Sequence, residues 1–191
     1  MTMEEFLAFE EAHPEERYEL VNGYLRNLDA LLMAGGTNNH AAIAINIGAA
    51  LKNVLRARSR KCRPYSDAIS FRVNATTLYH PDISVSCDEN DLARNDAIES
   101  PSLVVEVLSP STTLFDHTEK LRMYKACKSI QEYVLVDATQ QFDEVYHRLP
   151  DEKMAYQTYA EGESIPLSGL GFELSLADCY DDITFEEQKS L

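Results

Sequence analysis

An acidic residue, Glu106, stands in the middle of a segment that otherwise predicts a buried β-strand. The segment 102–109 (SLVVEVLS) lies between Pro101 and Pro110 and is mostly β-branched or aliphatic, as expected of a strand covered on both faces. A carboxylate in such a strand costs free energy unless something partners it. The position of Glu106 therefore indicates a site where its carboxylate has a chemical partner.

A second carboxylate, Asp82, follows Pro81 early in the preceding predicted strand, 24 residues before Glu106. This separation is common for neighbouring strands joined by a loop, so the two side chains could meet on one face of the sheet. Two carboxylates about 4 Å apart repel by about 4 kcal/mol at an effective dielectric constant near 20, unless they share a proton or a cation. A hard divalent cation such as Mg²⁺ suits two carboxylates completed by water and phosphate oxygens.

Three further polar residues, Asp116, Lys120 and Tyr124, are spaced i, i+4, i+8 and would line one stripe of a helix. One interpretation is a surface Asp–Lys pair that contributes a few tenths of a kcal/mol. If the helix instead lies across the end of the sheet, Lys120 points at the same site as the carboxylates. Its ammonium could there position a water molecule and offset charge on a phosphorane-like transition state.

The elements that must position these residues follow from hydrophobic periodicity and turn signals. Thr2 and Glu5 form a capping box for a helix over residues 3–11, and Asn22-Gly23 predicts a hairpin. A turn over residues 33–40 leads into a long helix over 39–58, whose apolar residues recur at helical spacing. The rest of the chain predicts strands over 68–73, 79–87 and 102–109, a helix over 114–128, a strand Glu132–Asp137 and a meander over 145–149 and 155–159. The acidic tail beyond the meander is expected to add little.

This order of elements predicts an α/β fold with one mixed central sheet flanked by helices. The expected core has the order αβββαβ, preceded by a helix-hairpin extension and followed by the meander. A length of 191 residues and a hydrophobic content of 45% suit a single domain, residues 1–191, with its own core.

The net charge of -15 argues against non-specific binding to nucleic acid over the whole surface. Basic residues are concentrated in one cluster, at residues 56–63 (RARSRKCR). Two interpretations of this cluster stay open. It is either a solvated helix end whose positive charges complement the helix dipole, or a local phosphate-binding patch.

The cysteines and the N-terminus predict a cytoplasmic protein with reduced thiols. The four cysteines form no CxxC motif and no Cys/His cluster, which argues against a zinc site. The first residues are acidic, where a secretion signal would be basic and then apolar. The longest apolar run, AAIAINIGAAL, is about half a membrane span, so no membrane segment is expected.

In their order, these motifs resemble the Uma-type family of restriction-endonuclease-like proteins, which belongs to the PD-(D/E)xK nuclease superfamily. The matching segments extend over about residues 18–137 and are YELVNGYL, GGTNNHAAIAINIGAAL, HPDISV, PSLVVEVLSPST, Asp116…Lys120…Tyr124 and EYVLVD. Pro81-Asp82 corresponds to the "PD" of the superfamily motif and Glu106 to its acidic "(D/E)". The resemblance implies a restriction-endonuclease-like core and a DNA endonuclease that uses Mg²⁺ or Mn²⁺. A homodimer is expected, because cutting both strands of a duplex calls for two symmetrically placed sites.

The resemblance also implies roles for individual residues. Asp82 and Glu106 would bind the metal, with the carbonyl of Val107 as a further ligand. The superfamily lysine, expected two residues after the glutamate, is replaced by Leu108. Some superfamily members supply the lysine from the neighbouring helix, which makes Lys120 the candidate here.

Two residues nearer the N-terminus also match the family. Glu19, in the YELVNG segment, resembles the additional acidic residue that members bring near the metal. His40 lies at the start of the long helix, as is typical of the family. Its side chain would either take part in the chemistry or donate a hydrogen bond to a loop carbonyl.

Other function classes remain open at this point. Leu108 in place of lysine, the negative charge and the lack of a helix-turn-helix motif favour a catalytically inactive nuclease-fold protein that binds or scaffolds. Asp82 and Glu106 could also be the acid and base of a glycosidase-like hydrolase. That class normally has a sugar groove rich in tryptophan, and this chain contains no tryptophan.

Overall fold

The computed structural model describes residues 1–28 and 37–185. The helices are α1 (Met3–Ala12), α2 (Asn38–Ala57), α3 (Glu89–Ala93), α4 (residues 113–126) and α5 (Leu176–Cys179). The strands are β1 (Tyr18–Val21), β2 (Tyr24–Asn27), β3 (Arg63–Ser66), β4 (Ser70–Asn74), β5 (Thr77–Tyr79), β6 (Ile83–Ser86), β7 (Ala97–Ile98), β8 (Pro101–Leu108), β9 (Glu132–Asp137), β10 (Phe142–Arg148), β11 (Met154–Ala160), β12 (Ser164–Leu167) and β13 (Phe172–Ser175). Helix α4 begins with Thr113–Phe115, continues through a π-helical turn at Asp116–Lys120, and ends with Leu121–Ala126.

Several predicted elements occur at nearly the predicted bounds. The capping box of Thr2 and Glu5 starts α1, and the hairpin β1–β2 turns at Asn22-Gly23, where Asn22 takes the positive φ that this turn needs. The turn predicted over residues 33–40 lies partly outside the described residues. Within them, the Thr37 side chain accepts a hydrogen bond from the His40 amide and so caps α2.

The predicted fold class is confirmed as mixed α/β with the core order αβββαβ. A six-stranded sheet has the strand order β11-β10-β9-β8-β6-β3, in which β8 and β9 are parallel and the other pairs antiparallel. The six-stranded sheet and its helices follow the order α2, β3, β6, β8, α4 and β9. Its first strand is not the predicted one, because the strand predicted over residues 68–73 corresponds to β4 in another sheet and β3 has no predicted counterpart. The strands do not, however, form a single central sheet. The described residues also form a five-stranded sheet of order β2-β1-β5-β4-β7 and a two-stranded sheet β12-β13.

The prediction of one strand over residues 79–87 is wrong, because the chain changes sheet inside it. Strand β5 ends at Tyr79 in the five-stranded sheet, and β6 begins at Ile83 in the six-stranded sheet. Pro81 lies between them and has no N–H group to continue a strand ladder. Asp82 is therefore on the crossing between the two sheets and not within a strand.

Strand β8 separates two hydrophobic clusters, and its alternation decides which way Glu106 points. Leu103, Val105 and Val107 pack with the apolar face of α2 in one cluster. Val104 packs in the other cluster with residues of α4 and of the five-stranded sheet. Successive side chains of a strand point to opposite faces. Glu106 therefore faces α4.

The C-terminal segment contributes to the core, so the prediction that it adds little is wrong. The segment 164–180, which contains β12, β13 and α5, buries a set of apolar residues in the same cluster as α2: Ile165, Leu167, Leu170, Phe172, Leu174, Leu176, Cys179 and Tyr180. Asn46 of α2 donates hydrogen bonds to the carbonyls of Cys179 and Asp181. The basic cluster also meets this segment, since Arg58 at the end of α2 donates to the carbonyl of Gly171. None of the described helices is long and apolar enough to cross a membrane.

The prediction of four reduced thiols is wrong for Cys62 and Cys87, which form a disulfide. The pairing follows from sheet register. Arg63 of β3 is opposite Ser86 of β6 in an antiparallel pair, so the residues just outside this pair, Cys62 and Cys87, come to face each other. The two cysteines are 25 residues apart in sequence, so their spacing does not indicate the pairing. Cys127 and Cys179 are free thiols.

We expect reduction of this disulfide to destabilise the protein measurably. Closing a loop of this length removes conformational entropy from the unfolded chain and contributes about 3 kcal/mol. Thermal unfolding with and without dithiothreitol measures the difference, and the Cys62→Ser/Cys87→Ser variant should match the reduced protein. Thiol titration of the denatured, unreduced protein should find the two free cysteines. Four titrating thiols, together with a melting temperature that does not respond to the reductant, would contradict the disulfide.

Candidate active site

A cavity of about 70 Å³ lies where the chain crosses between the two larger sheets, at the end of β8. Strand β6 pairs with β8 only as far as Val105, opposite Ile83, so the last residues of β8 have no strand on that side. The cavity has room for several water molecules. All of the predicted site residues line it: Glu19, Asp82, Glu106, Val107 and Lys120.

Glu106 is 3% exposed, and α4 supplies both of its polar partners. The Lys120 ammonium Nζ lies 2.8 Å from Glu106 Oε1. The Tyr124 hydroxyl donates a hydrogen bond of 3.0 Å to the same oxygen. Burial raises the pKa of Glu106 well above its usual value, and the Lys120 ammonium acts against this shift. The buried carboxylate in the apolar strand thus has a cation and a hydroxyl as its partners.

The ammonium of Lys120 lies among three carboxylates. Besides Glu106, Asp116 Oδ1 is 3.3 Å and Glu19 Oε1 is 3.7 Å from Nζ. Asp116 and Lys120 begin and end the π-helical turn of α4, a feature that often occurs at functional sites. Burial alone would lower the pKa of Lys120, but Glu106, Glu19 and Asp116 outweigh it and hold the pKa well above its usual value. The lysine is therefore a fixed positive charge.

Asp82 reaches β8 from the crossing segment. Its Oδ2 accepts a hydrogen bond of 2.7 Å from the amide of Val107. In a strand the N–H and C=O of one residue point to the same side, so the Val107 carbonyl also faces this side of β8. Asp82 Oδ2 is also 3.4 Å from His40 Nε2. Burial alone would lower the pKa of His40. The hydrogen bond and charge of Asp82, together with a hydrogen bond to the Val107 backbone, outweigh burial, so the pKa of His40 is raised.

Arg26 belongs to the site although its position in the sequence does not mark it as a site residue. Its Nη1 lies 2.6 Å from Glu19 Oε2, its guanidinium stacks over the Phe115 ring at 3.9 Å, and it lines the cavity. The hairpin predicted at Asn22-Gly23 was the sequence feature that could have identified Arg26. A two-residue turn there places residue 19 directly opposite residue 26, as the observed register has it. Asp67, another lining residue, pairs with Arg17 at 2.6 Å.

The donor set of this cavity fits a hard divalent cation. Five carboxylates line it against three Lys and Arg side chains. Among the described residues, Asp116 Oδ1 is buried and has no hydrogen bond, its nearest cation being the Lys120 ammonium at 3.3 Å. No cluster of three or more His, Cys, Asp or Glu side chains stands ready to enclose a metal within residues 1–28 and 37–185. Mg²⁺ does not need one, because it keeps several water ligands and is usually held by one or two carboxylates together with substrate oxygens. Asp82, Glu106 and the Val107 carbonyl supply oxygens of the kind that it prefers.

Comparison with known proteins assigns the chain to a family. The sequence model of the Uma2 family, described as "Putative restriction endonuclease", matches residues 3–177. The chain is 30% identical over 186 residues to "Uncharacterized protein slr1290" of Synechocystis sp., covering 97% of this chain and 94% of that protein. It is 28% identical over 156 residues to "Uncharacterized protein sll1609" of the same organism, covering 80% and 84%. The family match extends over most of the chain and includes the site residues, so the chain belongs to the Uma2 family, and the resemblance is confirmed.

Proposed function

We propose that this chain is a metal-dependent endonuclease that hydrolyses phosphodiester bonds of DNA. The observation that carries the proposal is the convergence of Asp82, Glu106 and Lys120 on one small cavity. These side chains come from three different segments: the crossing before β6, the end of β8 and the π-helical turn of α4. The Uma2 family assignment supports the same reaction class.

Asp82, Glu106 and the Val107 carbonyl would hold Mg²⁺ or Mn²⁺. Such an ion polarises a phosphoryl oxygen and lowers the pKa of a bound water molecule. The Val107 amide fixes one oxygen of Asp82 through its hydrogen bond. This leaves the remaining carboxylate oxygens of Asp82 and Glu106 for the cation.

Lys120 supplies a positive charge at the same place without leaving the protein interior. Its ammonium would orient the attacking water or offset negative charge on the phosphate in the transition state. Its contact with Glu106 at 2.8 Å keeps it beside the proposed metal ligand. Glu19 is a more distant partner of Lys120, and its salt bridge to Arg26 holds it in place.

The proposal includes DNA as the substrate and a homodimer in the cytoplasm as the working form. The Cys62–Cys87 disulfide argues against this location, because such bonds are rare in cytosolic proteins. Two active sites related by a twofold axis would let one dimer cut both strands of a duplex. The net charge of -15 opposes general attraction to phosphates. Binding would therefore depend on local contacts around the cavity.

Asp82→Asn and Glu106→Gln should each reduce DNA cleavage by roughly a hundredfold or more, because each removes a charged oxygen ligand. The assay uses supercoiled and branched DNA with Mg²⁺ or Mn²⁺, and EDTA should stop the reaction. Glu173→Gln, which changes an exposed carboxylate of β13, is the matched control and should cleave like the wild type. Unchanged cleavage by both site variants would refute the assignment of the site.

A second candidate function is a catalytically inactive nuclease-fold protein that binds or scaffolds. Leu108 stands where the superfamily motif has lysine, and this specific difference favours it. Titration calorimetry separates the two functions without any DNA. A catalytic site should take up Mn²⁺ in the wild type and lose that uptake in Asp82→Asn, whereas an inactive relative need not bind the ion.

A further inference from the structure

Two donors from α4 meet the same oxygen of Glu106. Lys120 Nζ lies 2.8 Å and the Tyr124 hydroxyl 3.0 Å from Oε1. The donors are four residues apart, so they extend from one face of the helix toward β8. Glu106 itself lines the cavity. With Oε1 occupied by both donors, Oε2 is the oxygen that remains for the cavity.

The ring of Tyr124 is held on several sides by other aromatic rings. It is 0% exposed. Its centroid lies 4.9 Å from that of Tyr133, 5.7 Å from that of Tyr79 and 5.8 Å from that of Phe71. A ring packed in this way cannot swing its hydroxyl to another acceptor without disturbing the cluster. The hydroxyl is therefore a fixed donor, and the carboxylate must orient to it.

Burial of a tyrosine in this cluster does not by itself require such a bond. The hydroxyl of Tyr79, in the same cluster, is buried and has no hydrogen-bond partner among the described residues. The hydroxyl of Tyr124, by contrast, forms a bond to a charged acceptor, and bonds of this kind are among the stronger ones in proteins.

We propose that Tyr124 is a positioning residue that, together with Lys120, holds Oε1 of Glu106 and so directs Oε2 into the cavity. The functional consequence, a better-placed ligand for the cation, rests on the proposed function. Outer groups that hydrogen-bond a metal-binding carboxylate commonly change metal affinity ten- to a hundredfold when they are removed. Tyr124 would act on the cation only through Glu106.

The test compares Tyr124→Phe with Tyr79→Phe by titration calorimetry with Mn²⁺ alone. Both variants lose one buried hydroxyl from the same aromatic cluster, but only Tyr124→Phe loses a hydrogen bond to Glu106. We expect Tyr124→Phe to bind Mn²⁺ roughly tenfold or more weakly and Tyr79→Phe to bind like the wild type. Melting temperatures show whether both variants are folded. We expect them to be folded because each keeps its aromatic ring. Equal affinities in all three proteins, or equal losses in both variants, would overturn the proposal.

Crystal structures of the wild type and of Tyr124→Phe, both free of metal, separate this inference from the proposed function. We expect the Glu106 carboxylate in the variant to rotate away from its wild-type position or to occupy two conformations. A wild type that takes up no Mn²⁺ would remove the proposed cation, and the two crystal structures would still decide the role of Tyr124. An unchanged Glu106 in the variant would mean that Lys120 and the strand suffice to orient it, and the inference would be wrong.

Discussion

Replacement of Lys120 by methionine is expected to lower the free energy of unfolding by about 3–5 kcal/mol, the range for removing one partner from a buried ion pair. The side chain of Lys120 is 6% exposed, and its ammonium is the near neighbour of three buried carboxylates. Methionine has a similar length and shape, so the packing loss is small. The cost arises because Glu106, Asp116 and Glu19 lose the positive charge that they share. Under the proposed function, DNA cleavage should also fall by roughly a hundredfold or more, since the variant loses the charge proposed to act on the phosphate.

Urea unfolding in EDTA, with circular dichroism as the readout, measures the stability change. Lys128→Met is the matched control, because Lys128 follows the same helix and its side chain is 83% exposed; it should unfold like the wild type. A second substitution, Glu106→Gln in the Lys120→Met background, removes one of the unpaired charges. It should recover part of the lost stability but none of the cleavage. A Lys120→Met protein as stable as the wild type would show that the carboxylates do not depend on the ammonium.

The core of the site could be predicted because it follows from local patterns. The apolar segment around Glu106 forms a strand buried on both faces, and the i, i+4 spacing of Lys120 and Tyr124 places both on the helix face that meets it. The two-residue turn at Asn22-Gly23 fixes the position of Glu19 in its hairpin. Each of these features depends on a few neighbouring residues, and tertiary packing reinforces them.

The remaining features depend on register and topology, which local patterns do not encode. The residues around Pro81 alternate as a strand would, yet they join two different sheets. Cys62 and Cys87 meet only because β3 and β6 pair in one particular register. The π-helical turn at Asp116–Lys120 likewise leaves no sign in the spacing of apolar residues. Such features require the assembled sheets, and a single sequence does not show them.

The sequence alone also does not reveal one buried carboxylate that lies outside the lining of the candidate site. Asp143 of β10 is 0% exposed. Its Oδ1 accepts a hydrogen bond of 2.5 Å from the Tyr180 hydroxyl, and its Oδ2 is buried without a partner. Burial raises the pKa of Asp143 to about 7, although the bond from Tyr180 acts in the opposite direction. Alternation in β10 places the side chain of Asp143 on the buried face, and Tyr180 of the C-terminal segment contacts its Oδ1.

Asp143 should therefore make the protein less stable as the pH rises from about 4 to about 7. The carboxyl has an ordinary pKa near 4 in the unfolded chain and a pKa of about 7 in the folded protein. Between these values the folded state binds more protons than the unfolded state, so the free energy of unfolding decreases with pH. A difference of about three pKa units corresponds to at most roughly 4 kcal/mol, and that contribution is fully lost above pH 7.

Asp143→Asn isolates this contribution because asparagine does not titrate in this range and can still accept the bond from Tyr180. The readout is the difference in unfolding free energy between variant and wild type at a series of pH values from 4 to 8, measured in urea. We expect this difference to shift in favour of the variant by a few kcal/mol across the series. Any constant offset reflects the buried amide, whose N–H₂ group would lack an acceptor. Glu173→Gln, an exposed carboxylate of the neighbouring hairpin, should show no comparable shift. A difference between Asp143→Asn and the wild type that does not vary with pH would mean that Asp143 is ionised in the folded protein throughout this range.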